Sequence, residues 1–320
     1  MVKLRKTLLE EERLQNRNKE QQQWIVNVTK CGIAKEFQGS QNEALQQQKQ
    51  WERGVYGDDA CFIAHHEHTY VAGIADGVGG WKRHGIDPSQ FSSQLMSNCA
   101  EIVRSGDFEH SRPDLIIKQA YNKLKMLNNK KPIGSSTACV LTITKRRLYS
   151  ANLGDSGYLI CRGGEIIFRS PEQTHYFNAP YQLSILPEQM LKEKKSFLLD
   201  KPESSELREH ELQSGDIVLI ASDGLWDNCH ISTIAKLLYS EEDNIKQKTE
   251  EEGEEGQQNR SLQMSHASLQ ARCNSLALIA RHLSADEHYI SPFTQRALKH
   301  GIRAPGGKSD DVTIILFQVT

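Results

Sequence analysis

Short apolar runs alternate with polar turns from Asp59 onward, and their periods predict strands and helices in turn. DACFIAHH (59–66) and TYVAGIAD (69–76) read as two strands joined by a polar turn at Glu67 and His68. Phe91, Leu95, Cys99 and Ile102 recur at helical spacing and predict a helix over Gln90 to Val103, opened by Asp87-Pro88-Ser89. A second helix is expected from Pro113 to about Leu127. A meander follows. SSTACVLTIT turns at Lys145-Arg146-Arg147 into LYSANLGD, and GYLICR turns at Gly163-Gly164 into EIIFRS. A Gly-Gly pair suits a type I′ hairpin. Residues 170–205 are polar and read as an irregular surface flap. DIVLIASDG is a strand ending in a turn, Ile231 to Tyr239 and Leu262 to Leu283 are helices, and DVTIILFQVT is a final strand. This succession predicts an α+β fold built on antiparallel sheet.

The rest of the chain has a different texture. Residues 1–23 are charged and Gln-rich, and a frayed or disordered arm is expected there. Trp24 to Val28 opens the folded domain, 24–320, as a strand. Glu43 to Gln50 is a Gln-rich connector. Residues 240–260 form a low-complexity acidic stretch, expected to be a disordered loop.

Composition narrows the function. Lys+Arg number 39 against 41 Asp+Glu, a balance with no electrostatic footprint for nucleic acid. No apolar run is long enough to span a bilayer, and Glu10, Glu11 and Glu12 break the start as a secretory or transit signal. The seven cysteines are scattered and read as buried, reduced thiols of an intracellular protein. None pairs at Cys-x-x-Cys spacing, which argues against a zinc site or a thioredoxin-like motif, and none is followed by Arg six positions on, so the usual signature of a cysteine-nucleophile phosphatase is missing.

The acids are more telling. Val71–Ala75 runs into Asp76-Gly77, Ile217–Ser222 into Asp223-Gly224, and Tyr149–Leu153 into Gly154-Asp155, while Asp58-Asp59 and Asp310-Asp311 open strands. Singly, each Asp-Gly is turn punctuation. Jointly, they gather carboxylates on one rim, where repulsion would raise their pKa values unless a hard cation intervened. An all-oxygen donor set favours magnesium or manganese over zinc. Two such ions activate water for in-line displacement at phosphorus.

GDDACF (57–62), ADGVGGW (75–81), GSSTACV (134–140), NLGDSGYL (152–159), SDGLWDN (222–228) and KSDDVTIIL (308–316) resemble, in order, the motifs of the metal-dependent PPM, or type 2C, serine/threonine phosphatases. DGVGGW followed by GIDPSQFS resembles the branch of mitochondrial and T-cell-activation phosphatases. The resemblance implies a four-layer α-β-β-α sandwich, two antiparallel sheets flanked by helices, with magnesium or manganese ions between the sheets: two per subunit and a possible third. It makes Asp76 the bridging ligand, Gly77 a ligand through its carbonyl, and Asp223 and Asp310 ligands of one metal. Asp76, Asp223 and Asp310 are thus the catalytic set. Asp58 would act through water, beside Asp59, and Asp155 with Asp223 would hold the third ion. Asp311 stands where many members have Asn.

Two positions depart from the pattern. Val78 replaces a histidine proposed elsewhere as general acid, leaving metal-bound water or a loop residue such as His84 to supply the leaving-group proton. Gly54 replaces a phosphate-binding arginine, and its neighbour Arg53 is the candidate to serve instead; Arg162 reads as a solvated strand-end charge. The expected activity is hydrolysis of phosphoserine and phosphothreonine in phosphoprotein substrates by a monomer. The rivals are a phosphatase of small-molecule or lipid phosphates and an inactive phosphoprotein-binding relative. The branch implies mitochondria; the acid-bearing start implies the cytoplasm.

Overall fold

The computed structural model describes residues 26–35, 52–127, 131–192, 198–239 and 264–320. The expectations for the arm, Trp24, the 43–50 connector and the 240–260 loop lie outside these residues.

Two antiparallel sheets form the centre. One has five strands in the order Val26–Ile33, Val312–Val319, Ile217–Ala221, Gly157–Arg162, Glu165–Arg169. The other has six: Glu206–Glu211, Arg147–Leu153, Ala138–Thr144, Thr69–Ala75, Asp59–His66, Val55–Tyr56. Residue alternation assigns each face. Ala60, Phe62 and Ala64 point to a core beneath the helices Ser89–Ser105 and Pro113–Met126. Ala72, Ile74, Cys139 and Leu141 point inward to Val218, Ile220, Ile315 and Phe317 of the facing sheet. Leu219, Ala221, Ile314 and Leu316 face outward beneath the helix His266–Ser284. The result is the expected helix–sheet–sheet–helix stack. Central strands are therefore covered on both sides and read as continuous apolar runs. Full burial of each large side chain, such as Phe317, contributes about 1.5–3 kcal/mol.

The tight turns follow their sequences. Gly163 and Gly164 have φ of 55° and 86°, the two positive values a type I′ turn needs. Thr144 pairs with Arg147 and His66 with Thr69, each across a two-residue loop.

The described residues of the 170–205 flap are more ordered than their composition predicts. Leu183–Ile185 pairs with Gly134–Ser136, and Glu188–Lys192 is helical. These pieces are too short to show a period. Two longer elements were also illegible. The strand Glu206–Glu211 (ELREHE) is an exposed sheet edge whose charges mask any alternation. The helix Pro292–Lys299 is capped by Ser291, whose Oγ accepts the N–H of Thr294 at 3.0 Å.

Candidate metal centre

Antiparallel pairing decides where the acids go. In such a ladder the end of one strand lies beside the start of the next. Ala75 pairs with Ala60, so Asp76 sits beside Asp58 and Asp59. Ala221 pairs with both Ile314 and Gly157, so Asp223 meets the approaches that carry Asp310, Asp311 and Asp155. The first group belongs to the six-stranded sheet and the second to the five-stranded one. Asp155 lies on the short link that crosses between them.

Backbone bonds hold the loops in place. Asp76 accepts at its carbonyl from the N–H of Thr137 and donates its own N–H to Thr137 Oγ1, both at 3.0 Å. Gly77 donates to Asp58 O at 3.2 Å, and a Cβ there would lie 2.5 Å from that oxygen. Only glycine permits this approach. Ser92 Oγ donates to the same carbonyl at 2.6 Å. Asp59 accepts from Thr313 Oγ1 at 2.8 Å, which ties the two sheets together.

The electrostatics are those of crowded, desolvated carboxylates. Burial, then Asp223, Asp59, Asp310 and Asp155, push Asp76 well above the usual carboxylate range. Burial and Asp223 raise Asp155 likewise, against Lys308. Asp223 is pushed up to about 7 by burial, again against Lys308. For Asp310 burial acts upward, but Lys308 and Lys35 outweigh it and hold the group below its usual range. Asp155 Oδ1 and Asp223 Oδ1 are buried with no hydrogen-bond partner among the described residues.

Lysines that no sequence pattern singles out meet this charge. Lys308 Nζ pairs with Asp223, with Asp227 Oδ2 at 2.7 Å and with Asp310 Oδ2 at 3.5 Å. Lys35 Nζ lies 3.0 Å from Asp310 Oδ1 and 3.4 Å from Asp58 Oδ2, and Lys82 Nζ lies 2.9 Å from Asp58 Oδ2. Among the described residues no three His, Cys, Asp or Glu side chains are arranged to hold a metal as they stand. Lysine ammonium groups supply the positive charge beside them. The donor set nonetheless fits a hard divalent cation: it is all oxygen, it is short of positive charge at Asp76 and Asp155, and two of its oxygens lack partners.

The other singled-out residues fall outside the rim. Arg53 is exposed before Val55–Tyr56, and among the described residues no hydrogen bond or ion pair joins it to the carboxylates. Arg162 is not simply solvated: its Nε and Nη2 each lie 2.8 Å from the fully buried Asp216 carboxylate. His84 lines a cleft with Val78, Trp81, Gln182, Leu186, Met190 and Leu198, a space of ≈ 260 Å³ beside the rim. Trp81 forms a fixed wall, since its Nε1 donates to Ser135 Oγ at 2.7 Å. Asp311 is a scaffold: its two oxygens accept the N–H groups of Lys35 and Asp58.

The chain has relatives among characterised proteins. A human "Protein phosphatase PTC7 homolog" is 40% identical over 289 residues, spanning 89% of this chain and 84% of its own. The Danio rerio homolog is 43% identical over 264 residues, or 82% and 80% of the two chains. The family model "Protein phosphatase 2C" matches residues 53–179. The chain belongs to the protein phosphatase 2C family. It is accordingly a metal-dependent protein serine/threonine phosphatase, of a family that uses magnesium or manganese. The photosystem II phosphatase PBCP shares the fold, with a TM-score of 0.67 at 23% identity over 92% of this chain and 99% of its own. So does the catalytic domain of the phosphatase PstP, solved with two manganese ions, with a TM-score of 0.51 at 13% identity, covering 93% and 99%.

Proposed function

We propose that this 2C-family member hydrolyses phosphoserine and phosphothreonine at a binuclear magnesium or manganese centre built on Asp76. The observation that carries this reading is the crowding of Asp76, Asp155 and Asp223 on one rim, Asp223 buried and the other two half-buried, with desolvation and mutual repulsion raising all three carboxyl groups against lysine alone. Asp76 and the Gly77 carbonyl, with Asp223 and Asp310, would hold the ions. Asp58 would act through water, and Asp155 with Asp223 would hold a third. When bound, the pair supplies an activated water and stabilises the entering and leaving oxygens. The protein's own part is positioning: Thr137 fixes Asp76 from both sides, and Gly77 lets the loop close on Asp58.

Two cations are candidates for the substrate phosphate: Arg53 by its place in the motif, and Lys35 by its place on the rim. The catalytic unit is one domain, 24–320, working as a monomer. A carboxyl-terminal fluorescent fusion tests the mitochondrial location that the branch favours; cytoplasmic fluorescence would overturn it.

The test is manganese binding by calorimetry together with phosphopeptide hydrolysis, in wild type and Asp76→Asn. Loss of both in the folded variant is expected. Retention of metal stoichiometry and turnover would remove Asp76 from the centre. Rapid turnover of a phosphometabolite with inert phosphopeptides would favour the small-molecule reading.

A further inference from the structure

The seven cysteines are all free thiols, and six are buried with no part in the phosphatase site. Cys31 is the half-buried exception, and its Sγ lies 2.8 Å from Cys273 Sγ. Cys31 is on the edge strand Val26–Ile33, and Cys273 is on the helix His266–Ser284 that packs against it. A disulfide needs about 2.05 Å between sulfurs, so closure asks for a movement of under an ångström. We propose that Cys31 and Cys273 are a reversible oxidation site, closing to a disulfide under peroxide.

The chemistry balances with hydrogen peroxide as oxidant. The Cys31 sulfur attacks one peroxide oxygen; an S–O bond forms, the O–O bond breaks, and water leaves. The Cys273 sulfur then attacks the Cys31 sulfur. The S–S bond forms, the S–O bond breaks, and a second water leaves with the Cys273 proton. Peroxide takes two electrons, one from each thiol. Cys31 attacks first because it is the accessible partner. Cys273 is fully buried, and burial raises its thiol well above the usual range, so the second step is the slower one.

The bond would staple the two elements that hold Lys35. The strand leads directly to it, and Arg281, in the helix's last turn, donates from Nη2 to Lys35 O at 2.9 Å. The staple closes a loop between positions 242 residues apart. Long loops give the largest entropic effect on the unfolded chain. A rise in Tm of roughly 5 °C or more is the expected scale.

The experiment treats the full-length protein with hydrogen peroxide, blocks remaining thiols by alkylation and maps unreduced peptides by mass spectrometry. A Cys31–Cys273 crosslinked peptide reversed by dithiothreitol is expected, with a raised Tm and slower loss of activity on heating. Cys31→Ser, at the half-buried position, should keep phosphatase activity and lose both the crosslink and the shift. A Cys31–Cys61 or intermolecular disulfide, sulfonic acid at Cys31, or a Tm shift that survives in Cys31→Ser would overturn the proposal. Should Cys273→Ser fold poorly, the wild-type peptide map and Cys31→Ser decide the matter alone.

Discussion

The backbone N–H of Asp58 donates to Oδ2 of Asp311 at 2.8 Å, joining positions 253 residues apart. Asp311 Oδ1 takes the N–H of Lys35 at 2.7 Å, so one carboxylate positions two segments of the rim. Asn at this position offers one acceptor, and its NH₂ would face a donor. Asp311→Asn should therefore be intermediate, and Asp311→Ala should be worse. Each buried N–H left unpaired costs about 1–3 kcal/mol. Urea unfolding of the three proteins checks the order; equal stability of Asn and Ala variants would rule out the two-acceptor role.

Asp223, Asp76 and Asp155 have carboxyl groups raised above their unfolded values. A raised pKa gives stability that is fully present below the unfolded value and is lost as pH rises through the folded one. For Asp223 that window runs from the ordinary carboxylate range up to about 7. Metal-free protein should lose Tm as pH rises from about 4 to 7. Manganese binds the ionised forms and should flatten the fall. Parallel melting curves with and without manganese would contradict this.

Lys35 and Arg53 make separable predictions. If Lys35 meets the substrate phosphate, Lys35→Ala should raise KM for p-nitrophenyl phosphate about tenfold, near 1.4 kcal/mol of lost binding, with Arg53→Ala near wild type. The reverse pattern assigns the role to Arg53. Steady-state kinetics at saturating manganese reads the difference.

Trp81 lines the apolar side of the cleft and is fixed by Ser135. Trp81→Ala should lower kcat/KM for phosphopeptides with an apolar flanking residue by roughly 10- to 200-fold, about 1–3 kcal/mol for a lost hydrophobic contact. Hydrolysis of p-nitrophenyl phosphate, which has no flanking residue, should change little. Equal losses on both substrates would place Trp81 in the chemistry or the fold instead.

The carboxylates of the rim were legible because strand ends were legible. Val71–Ala75 and Ile217–Ala221 are uninterrupted apolar runs, and the Asp-Gly pairs close them. The helix Ser89–Ser105 was visible in its stripe of Phe91, Leu95, Cys99 and Ile102, all buried. Lys308 and Asp227 were not visible, because a lysine before an acidic pair carries no period and its pairing depends on the fold. The same holds for Asp311, whose role appears only when Lys35 and Asp58 arrive from elsewhere. The described residues of 170–205 misled for the opposite reason: Leu183–Ile185 is ordered by pairing with Gly134–Ser136, a distant strand, and the local pair Thr174–Tyr176 with Ala179–Pro180 is too short to show a period.

Each sheet carries only half of the rim. Asp58 and Asp76 ride on one layer, Asp223 and Asp310 on the other, and Asp155 on the link between them. On the proposed centre, a chain that has folded one layer would hold only part of the ligand set. Affinity for manganese would then report the docking of the layers. During refolding it should emerge late and in one step, alongside burial of Phe317 and Ile74, so the ion inspects the finished assembly before any phosphate is cut.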